Sequence, residues 1–152
     1  MFRGSATVNL DEKGRFAIPA RFRDRVQDVC QGKVVVTLAL NERCVGMSGC
    51  LWIYPLCEWE ELEKKIKELP TFKKKAVKLK RFLIGSAFEC DMDSQGRILL
   101  PEKLRKFAEL DKKLELVGQL NRLELWNESA WEEQFKDDED DEDMEEINKL
   151  SF

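Results

Sequence analysis

Leu10-Asp-Glu-Lys-Gly-Arg-Phe-Ala-Ile-Pro-Ala-Arg-Phe-Arg23 and Met92-Asp-Ser-Gln-Gly-Arg-Ile-Leu-Leu-Pro-Glu-Lys-Leu-Arg105 align without a gap. The identical pairs are Asp11/Asp93, Gly14/Gly96, Arg15/Arg97, Pro19/Pro101 and Arg23/Arg105. Apolar type is kept at Leu10/Met92, Phe16/Ile98, Ile18/Leu100 and Phe22/Leu104. Further on, Tyr54, Trp59, Glu60 and Glu61 stand against Trp126, Trp131, Glu132 and Glu133. The offset between partners shrinks by about ten residues from the first stretch to the second. The first copy therefore holds extra residues, which the Gly-containing stretch 41–49 accommodates. Two copies of one unit organise this chain.

Each copy has the same physical reading. Residues 6–10 alternate as a short strand, 11–14 form a turn, and 15–18 return as a second strand. Gly14 and Gly96 supply positive φ without steric cost, and Asp11 and Asp93 can accept from the turn amides. Pro19 suits the start of a helix, where a missing N–H costs nothing, and Phe22, Val26 and Val29 lie on one face of it. Strands follow over 33–40 and 51–54. The second copy repeats the pattern with strands over 88–92 and 97–100, a helix from Pro101, and strands over 114–117 and 123–126. The unit is hairpin, helix, hairpin, in a mixed β with α (α+β) fold.

Outward from the repeats, Leu56, Trp59, Leu62, Ile66 and Leu69 form an amphipathic stripe that ends at Pro70. A second helix over 71–84 carries Phe72, Ala76, Leu79 and Leu83 on one face. The organisation is thus a first repeat over 1–55, a helical insert over 56–85, a second repeat over 86–135 and an acidic tail over 136–152. The tail lacks apolar content and is expected to be disordered and to aid solubility.

Charge and composition narrow the function. The 152 residues carry a net charge of −4, but the tail alone has nine acids against two lysines, so the body is basic. Residues 64–81 hold nine Lys and Arg against Glu68, and residues 1–25 hold six against three acids. A basic body fits a polyanionic partner. With no His, Ser-His-Asp and Cys-His catalysis and His-ligated metal sites are excluded, and no cofactor or metal site is expected. No apolar run reaches the ~20 residues that span a bilayer, and the N-terminus does not read as a secretory signal. The five cysteines contain no Cys-x-x-Cys pair and are expected to be buried or incidental thiols in a reducing cytoplasm. Catalysis and a small-molecule substrate are not expected.

The Asp-x-x-Gly-Arg turn admits two readings. Arg15 and Arg97 can pair with Asp11 and Asp93 and only fix the turn. Alternatively, a rigid ribbon presents Arg15 and Lys13 outward, as two-stranded ribbons do in a DNA major groove.

The motifs Phe2-Arg-Gly4, Asn9-Leu-Asp-x-Lys-Gly-Arg15, Cys90-x-Met-Asp-x-x-Gly-Arg97, Leu116-Val-Gly-Gln119 and Glu124-Leu-Trp126 resemble the MraZ family, bacterial transcriptional regulators with two tandem SpoVT/AbrB-like domains. The resemblance covers residues 2 to about 135. It implies two swapped-hairpin repeats closing a small pseudo-symmetric barrel. It implies a cytoplasmic, nucleoid-associated protein that assembles as a ring-shaped homo-oligomer. The implied target is double-stranded DNA, as tandem short G-rich boxes upstream of its own cell-division and cell-wall operon, mainly for repression. The implied DNA contact is Arg15 first, with Lys13 matching in the same turn and Arg97 ranked below it; Arg3 is added for its nearness to the turn in sequence, and Asp11, Gly14, Asp93 and Gly96 are structural in the turns. Gln95 replaces Lys13 in the second copy, so the two turns are not expected to contribute equally. The competing expectation is an oligomeric interaction scaffold that uses the basic helices 64–81.

Overall fold

The computed structural model of the chain describes residues 1–136 and 145–151. Eight strands run β1 (Ser5–Asn9), β2 (Arg15–Ala17), β3 (Lys33–Leu40), β4 (Gly46–Pro55), β5 (Phe88–Asp91), β6 (Arg97–Leu99), β7 (Lys113–Gln119) and β8 (Arg122–Asn127). Six helices are α1 (Ala20–Cys30), α2 (Leu56–Lys67), α3 (Lys74–Leu79), α4 (Glu102–Phe107), α5 (Glu128–Glu133) and α6 (Glu145–Asn148). From Lys80 to Ile84 the chain continues α3 as a π-helical turn. Among the described residues no helix is long and apolar enough to cross a membrane.

The sheet pairs one copy with the other. Its order is β1-β7-β8-β4-β3-β5, all antiparallel, so β1 of the first copy borders β7 of the second and β5 of the second borders β3 of the first. β2 and β6 form a separate two-stranded ribbon. This corrects the expected hairpin of 6–10 with 15–18, because the turn at 11–14 carries the chain from the sheet into the ribbon. The sheet also ends at β1 and β5 instead of closing into the expected barrel.

Alternation along the strands makes three layers. Val34, Val36, Leu51, Ile53, Leu116, Leu123 and Leu125 face a core shared with the ribbon, α1 and α4. Val35, Tyr54, Cys50, Val117 and Trp126 face the other way, under α2, the π-helical turn and α5. β3 is buried on both faces, which accounts for its unbroken Val-Val-Val-Thr-Leu-Ala-Leu run. Its one buried polar residue, Thr37, donates through Oγ1 to the Leu83 carbonyl at 2.6 Å and ties the π-helical turn to the sheet.

Helix starts follow local chemistry. Pro19, Pro55 and Pro101 stand in extended conformation just before α1, α2 and α4, each one residue outside its helix. Asn127 occupies the place of Pro55 in the second copy and caps α5, accepting from Ser129 N (2.8 Å) and Ala130 N (3.2 Å). Trp59 and Trp131 thus sit alike in α2 and α5, so the start of the helical insert belongs to the repeated unit. The extra residues of the first copy lengthen the hairpin itself, with β4 spanning 10 residues against 6 in β8. Only 41–45 remains a turn, where a long loop over 41–49 was expected.

Three further expectations are corrected. Phe72 is 97% exposed because α3 begins at Lys74, and Val29, on the Phe22 face but in the last turn of α1, is 58% exposed. Cys30 and Cys57 are joined as a disulfide, with Cα atoms 6.0 Å apart, where thiols were expected; Cys44, Cys50 and Cys90 are free. The acidic run 137–144, expected to be disordered, lies outside the described residues, whereas Glu145–Asn148 within the same tail is a helical turn.

Candidate nucleic-acid interface

The ribbon pairs Arg15 with Leu99, Phe16 with Ile98 and Ala17 with Arg97. Phe16 and Ile98 point into the core, so Arg15, Ala17, Arg97 and Leu99 share the outer face. Arg15 and Arg97 are diagonal neighbours there, with backbones roughly 7–8 Å apart. Beyond the strands, the Ile18 N–H donates to the Gly96 carbonyl and the Leu100 N–H to the Gly14 carbonyl, both at 2.9 Å. Each turn is thereby held by the opposite copy.

The two turns are built alike. Asp11 Oδ1 accepts from Lys13 N (2.9 Å) and Arg15 N (2.8 Å), and Asp11 Oδ2 accepts from Arg15 Nε (3.1 Å). Asp93 repeats this with Gln95 N (2.9 Å), Arg97 N (2.8 Å) and Arg97 Nε (2.8 Å). The Arg15 backbone N–H holds the Asp11 carboxyl below the usual carboxylate range, with the guanidinium adding to it, and Arg97 does the same for Asp93. Gly14 and Gly96 lie at φ +84° and +74°, a region costly for residues with a Cβ.

The pairing of each arginine with its aspartate is realised, and the same geometry leaves room for the outward-facing reading. Nε is committed to the aspartate, while the two Nη atoms of each arginine have no hydrogen-bond partner among the described residues. The side chains are 30% and 31% exposed, so a planar pair of donors faces outward from each turn on a fixed backbone.

Lys13 is exposed in the first turn and Gln95 takes its place in the second. Arg3 is not brought to this face. It lies beside the β7–β8 turn, where Phe2 pairs with Leu120, roughly 25 Å along β1 from Asp11. The basic helices of 64–81 pack over the opposite face of the sheet, where Lys64, Lys67 and Lys80 edge a shallow groove floored by Ile66 and Ile84. Among the described residues no group of three or more Cys, Asp or Glu is gathered as for a metal ion.

Two residues that spacing did not single out complete the site. Arg23 Nη1 donates to the Gln95 carbonyl at 3.3 Å, and its side chain covers Gly96 so closely that a Cβ there would lie 2.7 Å from Nη1. Arg105 covers Gly14 in the same way, 2.6 Å from Cζ to such a Cβ. The signal was present in the repeat, since Arg23 matches Arg105 just as Gly14 matches Gly96. Their contact across the two copies is set by tertiary pairing and leaves no mark in either copy alone.

Comparison with known proteins agrees with the repeat. The family described as "MraZ protein, putative antitoxin-like" matches residues 1–82 and again residues 83–150. A protein of Methylococcus capsulatus named transcriptional regulator MraZ is 48% identical over 132 residues, 87% of this chain and 82% of that relative. Proteins of the same name from Thioalkalivibrio sulfidiphilus and Pseudomonas putida are each 46% identical. They cover 92% and 86% of this chain and 91% and 83% of their own lengths.

Proposed function

The chain belongs to the MraZ family, and on that premise we propose that it is a DNA-binding transcriptional regulator whose reading head is the outer face of the β2–β6 ribbon. The observation that carries this is the pair Arg15 and Arg97, diagonal on one face, each fixed through Nε and, among the described residues, free at both Nη atoms. A guanidinium held this way presents two donors to guanine O6 and N7 or to a phosphate without first paying to order its side chain. Arg15 ranks above Arg97, because Lys13 adds a cation beside it and Gln95 does not. The antiparallel exchange of β1 and β5 between copies supports a swapped-hairpin arrangement, in which one chain imitates a dimer.

Contacts of this number are too few for tight binding. One bidentate Arg–guanine pair discriminates by about 1–3 kcal/mol, whereas specific DNA complexes reach about 10⁻⁸ M or below. Joining identical modules makes each later engagement intramolecular at roughly millimolar effective concentration. We therefore infer a ring-like homo-oligomer acting on tandem short G-rich boxes upstream of its own operon, in the cytoplasm and at the nucleoid, with repression as the main outcome.

The test is a binding titration on DNA from upstream of the protein's own gene and on a scrambled duplex, at two salt concentrations. Specific binding is expected to weaken steeply with salt, log K falling by about 0.9 per neutralised phosphate. Arg15→Ala is expected to remove specific binding with fold and oligomer size unchanged. Equal affinity for both duplexes, or an Arg15→Ala protein that binds like the wild type, refutes the reading head.

A further inference from the structure

Cys30 closes α1 and Cys57 lies in the first turn of α2. The two helices cover opposite faces of the sheet, and the β3–β4 register brings them together. Val34 pairs with Pro55, so the residues just before β3 and just after β4 meet at one end of the sheet. The bond from Cys30 to Cys57 wraps that end and staples the two outer layers to each other.

The site is open to small molecules. A surface cleft of about 300 Å³ is lined by both cysteines, with Val29, Lys33, Leu56 and Glu60 around them. The Cys57 N–H, in the first turn of a twelve-residue helix, donates to Cys30 Sγ at 3.2 Å. Negative charge that develops on Cys30 Sγ when the bond breaks therefore meets an amide already aimed at it. Of the other cysteines, Cys50 and Cys90 are poor competitors. Burial pushes the Cys90 thiol up to about 12 and the Cys50 thiol higher still, which keeps both protonated and unreactive.

We propose that Cys30–Cys57 is a reversible thiol–disulfide exchange site, worked by low-molecular-weight thiols and disulfides of the glutathione class. A thiolate attacks Cys57 Sγ, forms a mixed disulfide and releases Cys30 as the thiolate. A second thiolate attacks the outer sulfur of the mixed disulfide and releases Cys57. Two small thiols are oxidised to one small disulfide, the protein disulfide is reduced to two thiols, and the two protons pass to Cys30 and Cys57. Oxidation runs the same steps backwards. The function assigned to the ribbon is not needed for this site.

The experiment equilibrates the purified full-length chain in mixtures of reduced and oxidised glutathione under native conditions, followed by alkylation and peptide mass spectrometry. Cys30 and Cys57 are expected to gain alkyl groups together, in one step as the buffer becomes reducing. The oxidised form is expected to melt about 10 °C above the reduced form, from closure of a 27-residue loop. That gap should vanish in both Cys30→Ser and Cys57→Ser but persist in Cys44→Ser. If either single variant does not fold, the alkylation series on the wild type decides alone. Cysteines alkylated equally in every buffer, or a disulfide untouched by any native thiol concentration, overturn the proposal.

Discussion

Replacing Gly96 by Ala tests the coupling between the two copies at the ribbon. Gly96 holds φ +74°, and the left-handed region costs an L residue about 1–2 kcal/mol. The new Cβ would also press on the Arg23 side chain and displace Nη1 from the Gln95 carbonyl. Loss of that hydrogen bond adds about 0.5–1.5 kcal/mol. Ala restricts the unfolded chain, which offsets about 0.4–1 kcal/mol. The net destabilisation is about 2 kcal/mol, a fall in melting temperature of about 4–8 °C for a chain of this size. In an Arg23→Ala background both the clash and the hydrogen bond are already gone, so the same replacement costs about 1 kcal/mol. Thermal and urea unfolding of the four proteins, followed by circular dichroism, gives the interaction energy directly. Gly14→Ala with Arg105→Ala forms the symmetric cycle. An identical penalty in both backgrounds, or none in either, refutes the argument that each copy's arginine shapes the other copy's turn.

Acid should loosen the turns before it reaches the core. Asp11 and Asp93 titrate below the usual carboxylate range in the fold. Their stabilising contribution is therefore complete above the ordinary value near 4 and is lost as pH falls through the depressed values. Wild type should lose more melting temperature between pH 5 and pH 2.5 than Asp11→Asn/Asp93→Asn, and parallel profiles would contradict this. Glu124 accepts from the indole N–H groups of Trp52 (3.0 Å) and Trp126 (3.2 Å). Glu124→Ala leaves two half-buried donors unpaired and should cost about 2–4 kcal/mol, with a change in tryptophan fluorescence; wild-type stability would contradict it. Ile98→Ala empties a fully buried site beneath the ribbon and should cost about 2–5 kcal/mol in urea unfolding, against under 0.5 kcal/mol for the exposed Phe72→Ala. Finally, Arg15→Ala/Arg97→Ala should flatten the salt dependence of the residual, nonspecific DNA binding more than Arg15→Ala alone, and equal slopes would remove Arg97 from the interface.

Much of the candidate site was legible from the chain because its parts are local. Asp11 and Arg15 lie within one turn, so side chain and amide meet whatever the rest of the protein does, and the second copy repeats the pattern at Asp93 and Arg97. Arg3 shows the limit of that logic. It is near the turn in sequence, yet an extended strand carries it roughly 25 Å away. Cys30 and Cys57 show the converse, since 27 residues separate a pair that the β3–β4 register places in contact.

The amino-acid sequence by itself determined the repeat, the turns, the proline-led helix starts and the amphipathic stripe of α2, all of which depend on interactions within a few residues. Tertiary structure decided that β1 leaves β2 for β7, that β5 joins β3, that the sheet stays open and that Arg23 and Arg105 cross to the opposite turn. Those choices rest on where apolar faces find the most burial against distant partners. Two copies of one unit offer each strand similar local options, so only the packing of the whole chain distinguishes pairing within a copy from pairing between copies.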